Sequence, residues 1–180
     1  MNTAPTICGK RIVLRALREA DRAVVKSDRN PEFLRMVGAS IEDAKVTKAS
    51  ETSNVFEQSL VDPLRWAVTT NNRCIGTAFL HSLVKNDKRA RYAIGIFEQS
   101  DWGKGFGAET TRLVLDYAFR QLGLHRIDVR VLEYNERAIR CYEKCGFVRE
   151  RIERESAWVN GQWHNDLIMG ILEHEHGQSN

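Results

Sequence analysis

Residues 92–108 read YAIGIFEQSDWGKGFGA, in which an apolar strand pattern is followed by three glycines at alternate positions. Glycine lacks the Cβ atom that would keep a ligand away from the backbone. The glycines follow a strand predicted over 92–97 and precede a helix predicted over 111–122, which Gly123 ends. A turn of this kind directs free amide groups and the positive end of a helix at an anion, usually a phosphate. The sequence predicts a phosphate-binding turn, although a glycine turn that only caps a helix would show the same pattern.

The rest of the chain predicts one α/β domain. Asn71-Asn72 and Asn160-Gly161 each separate two strand patterns, and these residue types tolerate the positive φ of a hairpin turn. We expect a mixed, mostly antiparallel, twisted sheet flanked by helices, in a single domain over 1–180 with its core over about 11–172 and short flexible termini. The predicted strands cover residues 11–17, 64–70, 73–80, 92–97, 127–131, 147–159 and 163–172, and the predicted helices cover 19–27, 32–60, 111–122 and 136–144.

The composition argues against several classes of partner. Hydrophobic residues make up 42% of the chain and charged residues 28%, as in an average globular protein. The 27 Lys and Arg residues exceed the 24 Asp and Glu residues by only three, and no long run has one sign, so nucleic acid is not an expected partner. No stretch is apolar and long enough for a signal peptide or a membrane span. We therefore expect a cytoplasmic protein with no membrane partner.

The four cysteines, Cys8, Cys74, Cys141 and Cys145, form no C-x-x-C pair. In a reducing compartment we expect them to be buried or half-buried free thiols. Cys141 and Cys145 are four residues apart on a predicted helix, but no second ligand pair at a matching spacing follows. The sequence therefore predicts no metal.

A nicotinamide dinucleotide site is the competing phosphate interpretation. Gly103, Gly105 and Ala108 match G-x-G-x-x-A, and Asp128 follows about twenty residues later. However, the glycines follow a long antiparallel region instead of opening a βαβ repeat, and only one further strand–helix unit lies downstream. Asp128 also lies near the start of its strand, not at the carboxyl end. A Walker loop is excluded because no Lys-Ser or Lys-Thr follows at the required spacing.

A second motif lies after the strand that follows the glycine helix. Residues 135–147 read NERAIRCYEKCGF, which is N-x-x-A-x-x-x-Y-x-K-x-G-F. With WGKGFGAE over 102–109, this motif resembles the GNAT superfamily of acetyl-CoA-dependent N-acetyltransferases, and the resemblance covers about 11–172. Leu14-Arg15 and the final Asn-Gly hairpin are most similar to the branch of ribosomal-protein N-terminal, spermidine and amino-sugar acetyltransferases.

The resemblance implies a GNAT-like fold and transfer of acetyl from acetyl-CoA to a primary amine, by direct attack in a ternary complex and without a metal. It also implies roles for particular residues. The pyrophosphate would rest on the amides of Gly103, Lys104, Gly105, Phe106, Gly107 and Ala108, and the pantetheine arm would lie along Gly95, Ile96 and Phe97, with Asn135 on its other side. Trp102 departs from the Arg or Gln of many members, which removes one polar contact with phosphate.

The same resemblance makes Tyr142 the catalytic acid that protonates the departing thiolate. A phenol with a pKa of about 10 is protonated at pH 7 and can donate. The competing interpretation is a core tyrosine, because Ala138 and Cys145 share its helix face. A second hypothesis for the whole chain is a CoA-binding sensor or interaction module that has lost turnover, although the presence of Asn135 and Tyr142 argues against it.

The general base, the acceptor and the oligomeric state stay open at this point. Glu133 and Glu98 are the candidate bases, with solvated surface charge as the alternative for each, and His81, His125 and His164 have no partner pattern. The acceptor is a small-molecule amine or a protein N-terminus, and a homodimer is one option for the assembly. In this branch the acceptor cleft is formed by the early helices and the last hairpin, where the candidate residues are Glu32, Glu42, Asp43, Glu51, Glu57, Trp158 and Trp163.

Overall fold

The structure is a computed structural model in which residues 3–26, 31–38 and 56–177 are described. Its strands, in chain order, are β1 (Ile7–Cys8), β2 (Val13–Ala16), β3 (Arg65–Thr70), β4 (Arg73–Val84), β5 (Arg89–Ile96), β6 (Arg126–Leu132), β7 (Val148–Val159) and β8 (Gln162–Leu172). Its helices are α1 (Arg22–Lys26), α2 (Pro31–Val37), α3 (Phe106–Arg120) and α4 (Glu136–Glu143), with 3-10 turns at Glu19–Asp21, Gln99–Asp101 and Glu173–Glu175. Residues 56–60 are also helical.

The strands form one mixed sheet with the hydrogen-bonded order β1-β2-β3-β4-β5-β6-β8-β7. The β5–β6 ladder is parallel, whereas β1–β2, β2–β3, β3–β4, β6–β8 and β7–β8 are antiparallel. The prediction of a mixed, mostly antiparallel sheet flanked by helices is therefore confirmed. This topology also excludes a dinucleotide-binding fold, which needs a mostly parallel sheet.

The chain divides into two compact units. The first unit comprises residues 1–79 and 94–106, and the second comprises 80–93 and 107–180. Strands β4 and β5 each contribute residues to both units.

The first unit is built on the β2–β3–β4 ladder. The β3–β4 hairpin closes through Asn71 and Asn72, which have φ values of 47° and 61° as the sequence predicted for this turn. Its buried residues include Leu14 and Trp66, and the Trp66 indole donates a 2.9 Å hydrogen bond to the Pro5 carbonyl. This bond ties the chain before β1 to the core.

The second unit is built on the long β6–β8–β7 ladder. The β7–β8 hairpin turns at Asn160 and Gly161, with φ values of 49° and 78°, which confirms the Asn-Gly prediction. Helix α3 buries an apolar stripe that includes Val114, Leu115 and Ala118, as its helical spacing predicted.

Several boundaries differ from the predicted ones. Helix α3 begins at Phe106, about five residues before the predicted start, because Phe106, Gly107 and Ala108 form its first turn instead of a loop. Strand β1 was not predicted, since two residues are too short for a periodic pattern. Of the helix predicted over 32–60, residues 32–37 belong to α2 and residues 56–60 are helical, and residues 39–55 lie outside the described part of the chain. Cys8 is exposed, contrary to the expectation for the thiols, because it lies on the edge strand β1.

Candidate active site

The glycine turn belongs to the first unit and leads into α3. Gly103 and Gly105 adopt φ values of +74° and +84°, which other residues rarely tolerate. A Cβ atom on Gly103 would meet no heavy atom within 4 Å, so the backbone there can be approached closely. Helix α3 follows at once, and the amides of its first turn have no partner within the helix. The turn therefore fits a pyrophosphate group.

Trp102 anchors the start of this turn. Its indole donates a 2.8 Å hydrogen bond to the Ile96 carbonyl, and its ring packs on the buried cluster of Phe33, Leu34 and Phe97. Trp102 thus makes a structural contact that holds the turn against the end of β5, at the position where the resemblance implies an Arg or Gln in many proteins.

Arg11 stabilises the same turn, although no sequence motif indicates a role for it. Its guanidinium donates a 2.8 Å hydrogen bond to the Lys104 carbonyl and lies 5.2 Å from the centre of the Phe106 ring. It is also the group nearest to a Cβ atom built on Gly105, at 3.1 Å. Arg11 and Lys104 are 93 residues apart in the chain, and no local pattern signals such a contact.

The end of β5 carries Gly95, Ile96 and Phe97. The ladder between β5 and β6 covers only Arg89–Arg91, so these residues lie beyond its end. The Phe97 amide donates a 3.0 Å hydrogen bond to the Ile75 carbonyl on β4. Because backbone groups alternate along a strand, the neighbouring Ile96 presents its own groups to the opposite edge, where its carbonyl already accepts the hydrogen bond from the Trp102 indole. A strand edge of this kind can bind an extended chain as an added strand.

Gly95 is required by packing in the first unit. The Phe33 ring lies 3.0 Å from the position of a Cβ atom on Gly95, which is too close for an ordinary contact. Phe33 in turn packs edge-on against Phe97, with ring centres 5.6 Å apart.

Tyr142 belongs to the second unit and lies on α4. It is only 6% exposed and packs against the rings of Tyr92 and Phe147, at 6.5 and 5.5 Å between centres. Within the described parts of the chain, its hydroxyl has no hydrogen-bond partner. Among the described residues, the buried side-chain polar atoms without a partner are Arg65 Nε and Thr110 Oγ1, so the Tyr142 hydroxyl still reaches solvent at the edge of a buried ring and is open to a ligand.

The environment of Tyr142 keeps its hydroxyl protonated. Burial, followed by the neighbouring sulfurs of Cys141 and Cys145, raises the pKa of Tyr142 well above its ordinary value. The phenol can therefore donate a proton near neutral pH but cannot act as a base.

Helix α4 lies against the first turn of α3 within the second unit. Cys145 Sγ lies 3.6 Å from the Ala108 carbonyl oxygen, and Cys141 Sγ lies 3.4 Å from the position of a Cβ atom on Gly107. Thr111 donates a 2.8 Å hydrogen bond to the Gly107 carbonyl, and its hydroxyl oxygen accepts a 3.2 Å hydrogen bond from the Tyr92 hydroxyl. The structure thus packs α4, the helix that carries Tyr142, against Gly107 and Ala108 in the first turn of α3.

Cys141 has a thiol that ionises more easily than an ordinary cysteine. A hydrogen bond with the Cys145 thiol outweighs burial and lowers the pKa of Cys141, with a further contribution from the nearby cations of Arg112, Lys144 and Arg137. The pKa of Cys145 is raised by the same hydrogen bond and by burial, so Cys145 retains the proton.

Asn135 caps helix α4. Its side-chain oxygen accepts a 3.2 Å hydrogen bond from the Ala138 amide, and the residue is buried. A role for Asn135 in holding a pantetheine arm would therefore have to coexist with this capping contact.

The candidate bases have partners or lie at the surface. Glu133 accepts hydrogen bonds from the amide and the side chain of Asn165, at 3.1 and 2.9 Å. Glu98 is exposed and precedes the 3-10 turn Gln99–Asp101. Asp128, the acid of the rejected dinucleotide interpretation, forms a 2.6 Å ion pair with Arg91 and so has a structural role.

The acidic residues suggested for the acceptor cleft are mostly paired or not described. Glu32 forms a 2.9 Å ion pair with Arg35, and Glu57 pairs with Arg22. Glu42, Asp43 and Glu51 lie outside the described residues. In the last hairpin, Trp158 and Trp163 pack edge-to-face at 4.9 Å and remain 55% and 58% exposed.

Two properties hold for the residues that the structure describes. No helix among them is long and apolar enough to cross a membrane. They also contain no group of three His, Cys, Asp or Glu side chains arranged to hold a metal ion.

Comparison with known proteins gives consistent matches. Residues 11–148 match the acetyltransferase (GNAT) domain family. The chain is 35% identical over 103 residues to a probable N-acetyltransferase of Bacillus subtilis (strain 168), and this match spans 57% of each protein. It is 29% identical over 168 residues to the spermidine N(1)-acetyltransferase of Escherichia coli (strain K12), covering 92% of this chain and 88% of that protein.

The fold has close counterparts among solved structures. A spermidine N-acetyltransferase from Vibrio cholerae, crystallised in complex with CoA and spermine, superposes with a TM-score of 0.80 at 26% identity. The match covers 93% of this chain and 98% of that one. A putative ribosomal N-acetyltransferase of Bacillus subtilis (strain 168) is 29% identical over 100 residues, which is 56% of this chain and 54% of that protein.

Proposed function

Because the chain belongs to the GNAT acetyltransferase family and is an acetyl-CoA-dependent N-acetyltransferase, we propose that it acetylates a primary amine of a small aliphatic polyamine. The observation that carries the catalytic part of this proposal is the Tyr142 hydroxyl, which is protonated, reaches solvent from an otherwise buried ring and has no described partner. It lies on a helix packed against the first turn of α3. A proton donor at this place fits a reaction that expels a thiolate.

The proposed contacts with acetyl-CoA lie at the glycine turn, at the end of β5 and at the start of α4. The amides of Gly103, Lys104, Gly105, Phe106, Gly107 and Ala108 would hold the pyrophosphate at the start of α3. The edge of β5 at Gly95, Ile96 and Phe97 would pair with the pantetheine arm, because the β5–β6 ladder ends at Arg91. Asn135 would contact that arm while it caps α4. Arg11 supports these contacts by fixing the Lys104 carbonyl.

The proposed reaction proceeds by direct attack. The neutral amine attacks the thioester carbonyl, the new C–N bond forms, and the C–S bond then breaks. Tyr142 gives its proton to the sulfur, and the surplus proton of the amine passes to water or to a carboxylate. A different proton must leave before attack, because an aliphatic ammonium has a pKa near 10 and is not nucleophilic until it loses that proton to water. After the C–S bond has broken, Tyr142 regains its proton from solvent. No metal is needed in this scheme.

The acceptor proposal rests on the full-length similarity to spermidine acetyltransferases. Described residues Glu32 and Glu57 are already paired with arginines, so they offer less charge to a polycation than the sequence suggested. A peptide N-terminus is the second candidate, because a putative ribosomal acetyltransferase is also similar over about half of the chain.

Steady-state acetyl transfer, followed by release of the CoA thiol, tests the proposal. The panel contains spermidine, spermine, an amino sugar, an aminoglycoside and peptides with free N-termini. We expect turnover with spermidine or spermine at kcat/KM values at least tenfold above the peptides. Preferential turnover of a peptide would replace the polyamine with a protein N-terminus, and turnover of neither would reject both acceptors.

Three further expectations accompany this function and remain predictions. Residues 1–180 would act as one N-acetyltransferase domain, the protein would be cytoplasmic, and a homodimer is the assembly to test by light scattering.

A further inference from the structure

A basic pocket in the first unit extends from the glycine turn to residues that have no role in the proposed reaction. It has a volume of about 930 Å³, within the range of small-molecule sites. The β3–β4 turn at Asn71 and Asn72 forms part of its wall. The cavity is called the basic pocket below because it is lined by five basic residues, Lys10, Arg11, Arg15, Arg18 and Lys104.

Internal ion pairs neutralise only part of this positive charge. Arg15 forms a two-point ion pair with Asp21, at 2.7 and 2.8 Å. Lys104 lies 3.4 Å from Asp101, but that carboxylate also pairs with Arg73 at 2.8 Å. No acidic side chain is among the residues that line the pocket, within the described chain.

Two of the cations are left unpaired. Lys10 and Arg18 are exposed, and neither forms an ion pair with any residue in 3–26, 31–38 or 56–177, although Arg18 is near enough to Asp21 to help stabilise its charge. Like charges gathered in a concave surface repel one another and destabilise the fold. Stability therefore does not explain the cluster, whereas binding of an anion does.

Several donors in the pocket are held in place before a ligand arrives. Arg15 is fixed by its two contacts with Asp21, and Arg11 is fixed by the Lys104 carbonyl and the Phe106 ring. The backbone at Asn71 and Asn72 is held in the positive-φ conformation of the β3–β4 turn. Donors that are already oriented lose little entropy on binding, so they favour a ligand with several acceptor oxygens.

We propose that the basic pocket binds the phosphate group of a nucleotide-sized ligand through Lys10 and Arg18, with Arg11, Arg15 and Lys104 supporting the contact. The pocket volume exceeds what inorganic phosphate alone would fill. This phosphate can have two sources. It is either the 3′-phosphate of CoA, since Lys104 and Phe106 belong both to the glycine turn and to the pocket, or the phosphate of a separate metabolite. The CoA source rests on the proposed function, and the separate source does not.

Calorimetry with three probes distinguishes these sources. The probes are CoA, 3′-dephospho-CoA, and tripolyphosphate added to CoA-saturated protein. The test variant combines Lys10→Gln with Arg18→Gln, and Lys85→Gln is the control because Lys85 is exposed and outside the pocket. Thermal unfolding checks that each variant is folded. We expect the double variant to lose about tenfold or more in affinity for the phosphate that occupies the pocket.

Each result has one interpretation. If wild type prefers CoA to 3′-dephospho-CoA and only the double variant loses the preference, the 3′-phosphate occupies the pocket. If tripolyphosphate binds CoA-saturated wild type and Lys85→Gln but not the double variant, a separate phosphate ligand occupies it. The proposal is overturned if wild type shows neither behaviour, or if the double variant and Lys85→Gln behave alike. Because no arm measures acetyl transfer, failure of the polyamine proposal would leave this test unaffected.

Discussion

At the scale of single residues, removal of the Tyr142 hydroxyl distinguishes a catalytic role of this residue from a packing role. The change Tyr142→Phe keeps the ring that fills the space beside Tyr92 and Phe147. We expect kcat to fall roughly 10²-fold or more, within the range of general-acid contributions, with little change in the KM for acetyl-CoA. Unfolding temperature should change little, because the hydroxyl has no described partner to lose. The measurement is steady-state kinetics under conditions in which chemistry limits the rate.

The matched control is Tyr92→Phe. The Tyr92 hydroxyl is fully buried and bonds to Thr111, so its removal should lower the free energy of unfolding by about 1 kcal/mol and leave kcat largely intact. A Tyr142→Phe protein with near-normal kcat would make Tyr142 a core tyrosine and leave protonation of the thiolate to water.

The ion pair between Asp21 and Arg15 makes stability depend on pH. Burial opposes ionisation of Asp21, but hydrogen bonds from Arg15 and the Arg18 amide outweigh it and hold the pKa of Asp21 below its ordinary value. The folded pKa is thus lower than the unfolded pKa. The stabilisation is therefore fully present above the unfolded pKa, near 4, and is lost as pH falls through the folded pKa.

Asp21→Asn tests this directly. At pH 7 it should lower the free energy of unfolding by about 3 kcal/mol, because Arg15 is left half-buried without its charge partner. Urea unfolding between pH 7 and pH 2 should show the difference from wild type shrinking below about pH 4. Asp87→Asn, which removes an exposed pair with Arg89, should show almost no effect. A difference between Asp21→Asn and wild type that stays constant down to pH 2 would contradict the linkage.

At the scale of elements, the glycine turn depends on a backbone that ligands can approach. Gly105→Val should weaken CoA binding by several kcal/mol in calorimetry, because the side chain blocks the amides and displaces Arg11. Gly123→Val is the control, since Gly123 also has a positive φ, of +62°, but lies beyond the last residue of α3 instead of before its first, and a Cβ atom there would meet no heavy atom within 4 Å. Both should cost stability, and only Gly105→Val should weaken CoA binding. Equal CoA affinity for the two folded variants would remove the pyrophosphate from this turn.

The two hairpin turns and the ends of α3 and α4 show which local features the sequence predicts. Hairpins at Asn71-Asn72 and Asn160-Gly161 were predictable because positive φ favours particular residue types locally. The start of α3 was placed too late, because glycines suggest a loop even where Gly107 and Ala108 form a helical turn. The cap made by Asn135 was also readable as a local signal, since Asn is a preferred N-cap residue.

Contacts between distant parts of the chain were not predictable. Arg11 reaches the glycine turn across 93 residues, and the basic pocket joins residues near the N-terminus to Lys104. Neither arrangement leaves a periodic or local pattern. The motifs around Gly105 and Tyr142 could therefore be recognised from the sequence. The contact of Arg11 with the glycine turn and the grouping of the basic residues become visible only in the folded structure.

At the scale of the whole molecule, the proposal of one domain predicts cooperative unfolding. Strands β4 and β5 contribute residues to both compact units, so neither unit can lose its share of these strands without affecting the other. We expect one transition in urea, with the same midpoint for every probe. In a Trp158→Phe, Trp163→Phe protein, fluorescence reports Trp66 and Trp102 in the first unit, while far-UV circular dichroism reports the strands of both. The two substitutions should leave the fold intact, because both indoles are exposed and contribute little to the core. Coincident midpoints would then support the single domain. Midpoints separated by more than the fitting error would instead show two independently unfolding domains, and the family match over 11–148 would then span a boundary between them.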